Sequence, residues 1–455
     1  MVISSLLSSG TNSSSLVDQV QFLILLLIVT LIVALLSRRL RVPYTLLLVI
    51  VGFVVGLLPF LPNEHLDPNL VLYVFIPALL FEGAWNAEID RLEADWLPII
   101  LLAIPGMVLS LLVVAVALHF GIGLAWLLAL LVGAIVAPTD PVAVIALFQQ
   151  LGVPDRLRTL VEGESIFNDG TGGAAYEMVL AVLLPTLGLA EVSGTPSFLN
   201  TSVLGIAGEV LWLIFGGLLL GFGVGWAVSH LLRRIADRLI VITVTVAVAY
   251  GMYLLGTALH TSGLLAVVGA GLVMGSYGRK NAMSPRTIEA ADDVWEFINY
   301  LANSLLFLLL GFELALTNLV QSFPGIFFGL LGAIIGRALM IYVFMPLQDV
   351  LARWWAHRPS ERHSRLLRPR PVPSAWRPVM VLSGLRGALS LALVLSLPTA
   401  LEQRNLLTDI VYGVILVTLL GQGLTLRVLL PRWKDKLARA EQSPATRPQA
   451  AREEG

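Results

Sequence analysis

Two aspartates set in apolar sequence, Asp140 and Asp169, have hydroxyls, an amide and further charges close by, and this is where the chain can do chemistry. In GAIVAPTDPVAVIAL, Thr139 and Asp140 stand between Pro138 and Pro141. Neither proline supplies an amide hydrogen and each disfavours helix at the residue before it, so the pattern predicts a broken helix with unpaired carbonyls. In VEGESIFNDGTGGAAYEMVL, Glu164 and Asn168 share one helical face, and Ser165 and Asp169 share another. Gly172 and Gly173 follow, leaving a small surface that another backbone can approach.

Two arginines also lie in apolar runs. Arg337, in GAIIGRALMIY, needs a carboxylate; Glu164 is the first choice, and Glu82, in PALLFEGAW, the second. Arg386, in VMVLSGLRGALSLALVL, is bracketed by Gly384 and Gly387 with Ser383 beside them. Glycine inside a helix costs about 1 kcal/mol relative to alanine, so this cluster marks a second break, whose carbonyls Arg386 is placed to cap. Sequence alone leaves open which arginine meets Glu164. Carboxylates, hydroxyls and freed carbonyls together are ligands for a proton or a small hard cation, not a nucleophile and its base.

The elements that must position these groups follow from composition. A mean hydropathy of +0.86, with 57% hydrophobic and only 13% charged residues, lies outside the globular range. Apolar stretches of about 20 residues, each able to cross a hydrocarbon core of about 30 Å, recur along the chain. The predicted fold class is an all-α polytopic membrane protein of about thirteen helices, with inverted repeats and two interrupted, crossing helices. The predicted spans are 19–37, 42–60, 70–86, 96–120, 124–148, 162–185, 203–231, 239–257, 261–277, 294–313, 323–346, 377–397 and 406–430. With the N-terminus outside and the C-terminus in the cytoplasm, all but four of the 29 Lys and Arg fall on inward segments. This divides the chain into a short outward N-terminus at 1–18, a transmembrane domain at 19–430 with a basic cytoplasmic loop at 348–376, and a disordered cytoplasmic tail at 431–455.

An ionisable group inside a span costs at least about 2.5 kcal/mol, so each is a functional hypothesis by default. Asp140 and Asp169 flank the same cytoplasmic loop on antiparallel spans, at roughly equal depths of 12 to 14 Å. The fifth and twelfth spans, each broken and opposite in direction, make spans two to six and nine to thirteen the candidate repeats. An intramembrane aspartyl protease would need its two Asp close enough to share a proton, and no GxGD-like motif is present. A cation channel would need a continuous filter, whereas these charges gather at one depth. There is no cysteine and no GxxxxGK loop, and the six His lack metal-ligand spacing, so no cofactor, no enzymatic role and no nucleic-acid partner is expected.

The TDPVAV of 139–144, EGESIFNDG of 162–170, FEGAW of 81–85, GRALMIY of 336–342 and GLRGALSLAL of 384–393 closely resemble the monovalent cation:proton antiporters of the first subfamily. That family includes prokaryotic sodium/proton antiporters and eukaryotic sodium/proton exchangers. The resemblance implies that Asp169, after Asn168, binds either cation or proton, that Thr139 and Asp140 are ligands from the crossing helices, and that Glu164 and Arg337 form a structural charge pair. Arg386 and Glu82 are supporting residues in this picture, and Na⁺ would sit among Asp169, Thr139 and Ser165. It further implies a homodimer with a scaffold and a moving ion-carrying core, in a bacterial plasma membrane, serving Na⁺ and pH homeostasis. The sequence departs from the usual motif after Asp169, where GTGGAAYEMV replaces a bulkier apolar continuation. Because Asn168 is neutral, one group titrates, and the implied exchange of Na⁺ or Li⁺ for H⁺ is electroneutral and one for one. K⁺ in place of Na⁺ is the alternative within the transporter class, and the channel is the alternative outside it.

Overall fold

The computed structural model describes residues 24–37, 39, 44–57, 71–87, 89–188, 208, 211–235, 237–316, 319–356 and 370–441. These residues are helical almost throughout. We number the main helices α1 (Ile24–Ser37), α2 (Tyr44–Gly56), α3 (Val71–Trp85) and α4 (Trp96–Ile122). They continue with α5 (Trp126–Val136), α6 (Val142–Leu151), α7 (Asp155–Thr186), α8 (Trp212–Leu232), α9 (Arg238–Ala258) and α10 (Gly263–Val273). The last are α11 (Pro285–Leu316), α12 (Phe323–Ala356), α13 (Arg377–Leu382), α14 (Ala388–Leu395) and α15 (Arg404–Glu441).

Each predicted span falls on one of these helices or, for the fifth and twelfth, on a pair separated by a break. Among the described residues six helices are long and apolar enough to cross a membrane alone: α4, α8, α9, α11, α12 and α15. The two breaks have the causes read from sequence. Between α5 and α6 the backbone between Pro138 and Pro141 carries no helix. Between α13 and α14, residues 384–387 run without regular structure through the Gly384 and Gly387 positions.

Several boundaries differ from the sequence expectation; α11, for one, begins at Pro285, nine residues before 294. Helix α7 begins at Asp155, about two turns before residue 162, because Leu157, Leu160 and Val161 are buried and prolong the apolar face toward the basic end. Helix α12 runs on to Ala356, well past the start assigned to the basic loop, with Gln348 and Ala352 buried along it. Helix α15 continues to Glu441 instead of giving way to irregular tail at 431. Its last turns are held because Leu437 is buried and its carbonyl accepts a hydrogen bond from Trp376 Nε1 at 3.2 Å. The segment 1–18 expected to lie outside, residues 357–369 of the expected basic loop and the tail from 442 lie outside the described residues.

The helices pack as two groups. In the first, α4 lies along both α12 and α5, α5 packs on α7, and α12 packs on α15. In the second, α2 lies along α11, while α3, α8 and α9 all pack on α10. The groups meet where α7 touches α10 and where α14 touches α3 and α11.

Candidate functional site

The two breaks cross, and their loose ends are tied to each other. The Asp140 amide donates to the Leu385 carbonyl at 2.8 Å. The Asp140 carboxylate caps both half-helices that start at the crossing: Oδ1 accepts from the Val142 amide at 2.9 Å and Oδ2 from the Ala388 amide at 3.2 Å. A helix N-terminus carries unpaired N–H groups and a partial positive charge, so one anion serving two such ends is favourable. Gly387 makes this possible, since a Cβ there would collide with the Asp140 carboxyl.

The opposite ends, the C-termini of α5 and α13, present free carbonyls, and the two arginines take them. Arg386 Nη1 donates to the Ala137 carbonyl and, at 2.9 Å, to the Pro138 carbonyl. Arg337 Nε and Nη2 donate to the Met380 carbonyl at 3.2 and 3.0 Å. Arg337 also forms a two-pronged ion pair with Glu164, through Nη1 to Oε1 and through Nη2 to Oε2 at 2.8 Å. Glu164 is 0% exposed and Arg337 2%, so each would be untenable without the other. Gly384 leaves room for this guanidinium, with a hypothetical Cβ only 2.9 Å from Arg337 Nε. Glu82, the second candidate partner, is elsewhere: it accepts from Asn86 Nδ2 at 2.7 Å.

Helix α7 locks onto the first break through Thr139. Asn168 Nδ2 donates to Thr139 Oγ1 at 3.0 Å and to Glu164 Oε1 at 2.9 Å, while its Oδ1 accepts from the Thr139 amide at 3.4 Å. Ser165 Oγ donates to the Thr139 carbonyl. A turn beyond, Thr171 Oγ1 donates at 2.7 Å to the Ala103 carbonyl, in the stretch of α4 loosened into a π-turn around Pro105. Thr139, Ser165 and Asn168 thus form one buried oxygen-rich knot beside the crossing.

Asp169 follows this knot in sequence and is held differently. It is half-buried, lies within electrostatic reach of Asp140 and Glu164, and receives no hydrogen bond among the described residues. Asp140 and Arg386 line the inner end of a cavity of about 600 Å³. That cavity runs between α2, α6, α11 and α15 toward Gln150 and Arg427, on the face where the basic connections emerge. Among the described residues no cluster of His, Cys, Asp or Glu could hold a multivalent metal ion.

Two anchoring clusters were not singled out from sequence. Arg156 grips Asp95 at 2.6 and 3.0 Å, bonds the Arg370 and Pro371 carbonyls at 3.0 and 3.1 Å, and lies over Trp376. Arg279 grips Asp292 at 2.5 and 3.0 Å, with Trp85 donating to the same carboxylate at 2.7 Å and stacked under the guanidinium. Each braces one helix group at the basic face. For Asp95 the available signal was an acidic residue at a helix start on a basic surface, and for Asp292 one of two adjacent aspartates within α11; both are too common to single out.

Comparison with known proteins adds a lineage to this geometry. Residues 24–432 match the family described as sodium/hydrogen exchanger, transmembrane. The chain is 36% identical over 396 residues to the Na(+)/H(+) antiporter ApNhaP of Aphanothece halophytica, covering 86% of this chain and 70% of that one. It is 34% identical over 363 residues to the Na(+)/H(+) antiporter NhaP of Pseudomonas aeruginosa, covering 79% and 80%. Its fold matches the sodium proton antiporter MjNhaP1 of Methanocaldococcus jannaschii with a TM-score of 0.71 at 18% identity, over 93% of this chain and 99% of that one.

Proposed function

The chain belongs to the sodium/hydrogen exchanger family, and from that premise we propose that it exchanges one Na⁺ for one H⁺ at Asp169. It is an integral membrane transporter, not an enzyme. The observation that carries the stoichiometry is the charge inventory at the crossing. Three carboxylates, Asp140, Glu164 and Asp169, are gathered with two guanidiniums, Arg337 and Arg386. With all five ionised the site lacks a single positive charge, and one monovalent cation or one proton completes it.

Asp169 is the place for that charge, because Glu164 is neutralised by Arg337 and both Asp140 oxygens are taken by amides. Thr139 and Ser165 retain oxygen lone pairs for a cation that has shed its water. Asn168 fixes Thr139 from the neighbouring helix. Sodium and proton compete for one carboxylate and never occupy it together. A loaded, neutral site crosses the membrane interior at little cost, whereas an empty, negative one does not, and this penalty couples the two fluxes.

Access alternates as the first helix group, carrying α5, α7 and α14, shifts against the second. The basic face is the cytoplasmic one by the charge rule, which puts the N-terminus outside and leaves the cavity open inward. Residues 19–430 act as the transport unit in the bacterial plasma membrane, and two chains assemble as a homodimer, which cross-linking in native membranes tests. Proton movement in vesicles driven by a Na⁺ pulse at zero membrane potential is the direct test of exchange. Asp169→Asn should abolish it; exchange surviving in that variant would remove the reading, and a net current would replace it with a channel. Running the assay with Li⁺, Na⁺ and K⁺ decides the substrate.

A further inference from the structure

Away from the basic face, the two helix groups are closed against each other along α7 and α10. Gly170 and Gly173 of α7 carry no side chain where Leu264 and Leu265 of α10 press in; a Cβ at Gly170 would come 2.6 Å from Leu265 Cδ2. Such a contact is smooth and offers little resistance to sliding. One polar bond crosses it. Glu177 Oε2 accepts from Ser262 Oγ at 3.1 Å, the only side-chain hydrogen bond between these two helices among the described residues.

Ser262 is a rigid anchor. Its Oγ caps α10 by accepting from the Leu265 amide at 3.3 Å, and its own amide donates to the Leu213 carbonyl of α8 at 3.1 Å. Glu177 is therefore gripping the end of the second group. Its neighbour Tyr176 does the opposite, bonding Ser396 at the end of α14 at 3.0 Å. Glu177 Oε1 is buried and no donor reaches it. Leaving an acceptor buried without a partner is costly, and parting the helices returns that oxygen to water. The bond thus holds the seal without making its opening prohibitive. On the other side of the molecule, the same two groups enclose the open cavity.

We propose that the Glu177–Ser262 hydrogen bond is a latch that keeps the outer side of the transport path shut while the inner cavity is open, making Glu177 a positioning residue for the exchange cycle. The latch rests on the alternating-access reading given above, but it is tested without any transported ion. The chain has no cysteine, so one introduced thiol reports alone. Leu264→Cys places that thiol in the sealed contact, and a membrane-impermeant maleimide applied from outside reads how often the contact opens. Adding Glu177→Ala raises the labelling rate about fivefold, the shift expected when one state loses one net hydrogen bond. Adding Glu177→Gln, which still offers Ser262 an acceptor, leaves the rate near that of the parent. Equal rates in parent and Glu177→Ala overturn the latch, and so does a rise in Glu177→Gln as large as in Glu177→Ala. Because labelling needs no cation, loss of the exchange reading through Asp169→Asn leaves this comparison standing.

Discussion

Around Asp140 and around Asp169, two aspartates at one crossing are treated in opposite ways. The Asp140 region is saturated: its carboxylate joins two helix starts, and its own amide is bonded to Leu385. The Asp169 region is left incomplete: it follows the Thr139, Ser165 and Asn168 knot, and among the described residues no hydrogen bond reaches its carboxylate. In the proposed exchange, the difference separates a residue that builds the cation site from one that uses it. Both are aspartates in an apolar bundle, so residue type cannot tell them apart; the hydrogen-bond partners do.

The strongest way to break this contrast is to neutralise each aspartate. Asp169→Asn is expected to lower Na⁺-driven proton flux by at least about 100-fold while the protein stays folded, as fits an interaction with the transported ion itself. Flux retained there would reverse the assignment of roles. Next comes the charge pair behind Asp169. Glu164→Ala leaves Arg337 buried without its carboxylate and should destabilise the protein by about 3 to 5 kcal/mol, read as a lowered unfolding temperature in detergent. If stability is unchanged, Arg337 is satisfied by the Met380 carbonyl alone.

Asp140→Asn turns one acceptor into a donor that faces an amide. It is expected to cost about 1 to 2 kcal/mol of stability and only part of the exchange rate, so a complete loss of flux with normal unfolding would make Asp140 a direct ligand. The mildest change sharpens the contrast. Ser165→Ala should raise the KM for Na⁺ severalfold with little change in maximal rate. In the parent, KM for Na⁺ should climb as pH falls because protons occupy the same carboxylate. A fall in maximal rate at saturating Na⁺ would argue against simple competition.

Much of this was legible in the residues. Hydropathy marked the spans, the Pro138 and Pro141 pair and the Gly384 and Gly387 pair marked both breaks, and four-residue spacing put Asn168 beside Glu164. These are local rules, and they work because helix geometry is periodic. What sequence did not carry was contact between distant segments. It favours Glu164 for Arg337 and carbonyl capping for Arg386 without excluding the swap, and the fold decides for the first arrangement, Arg386 meeting the carbonyls of Ala137 and Pro138. It treated Arg156 as an orientation charge, while burial made it the centre of a clamp with Asp95 and Trp376. It also stopped α15 too early, because the partner that stabilises Leu437, Trp376, lies some sixty residues away in the chain.

The double cap at Asp140 also has a mechanical meaning. One short, stiff side chain fastens the beginning of α6 to the beginning of α14, so neither half-helix can swing while the other stays put. The interrupted segments of the two halves must then travel as a single bolt. A half-turned intermediate, open to both sides and leaking ions down their gradients, would require that fastening to tear first.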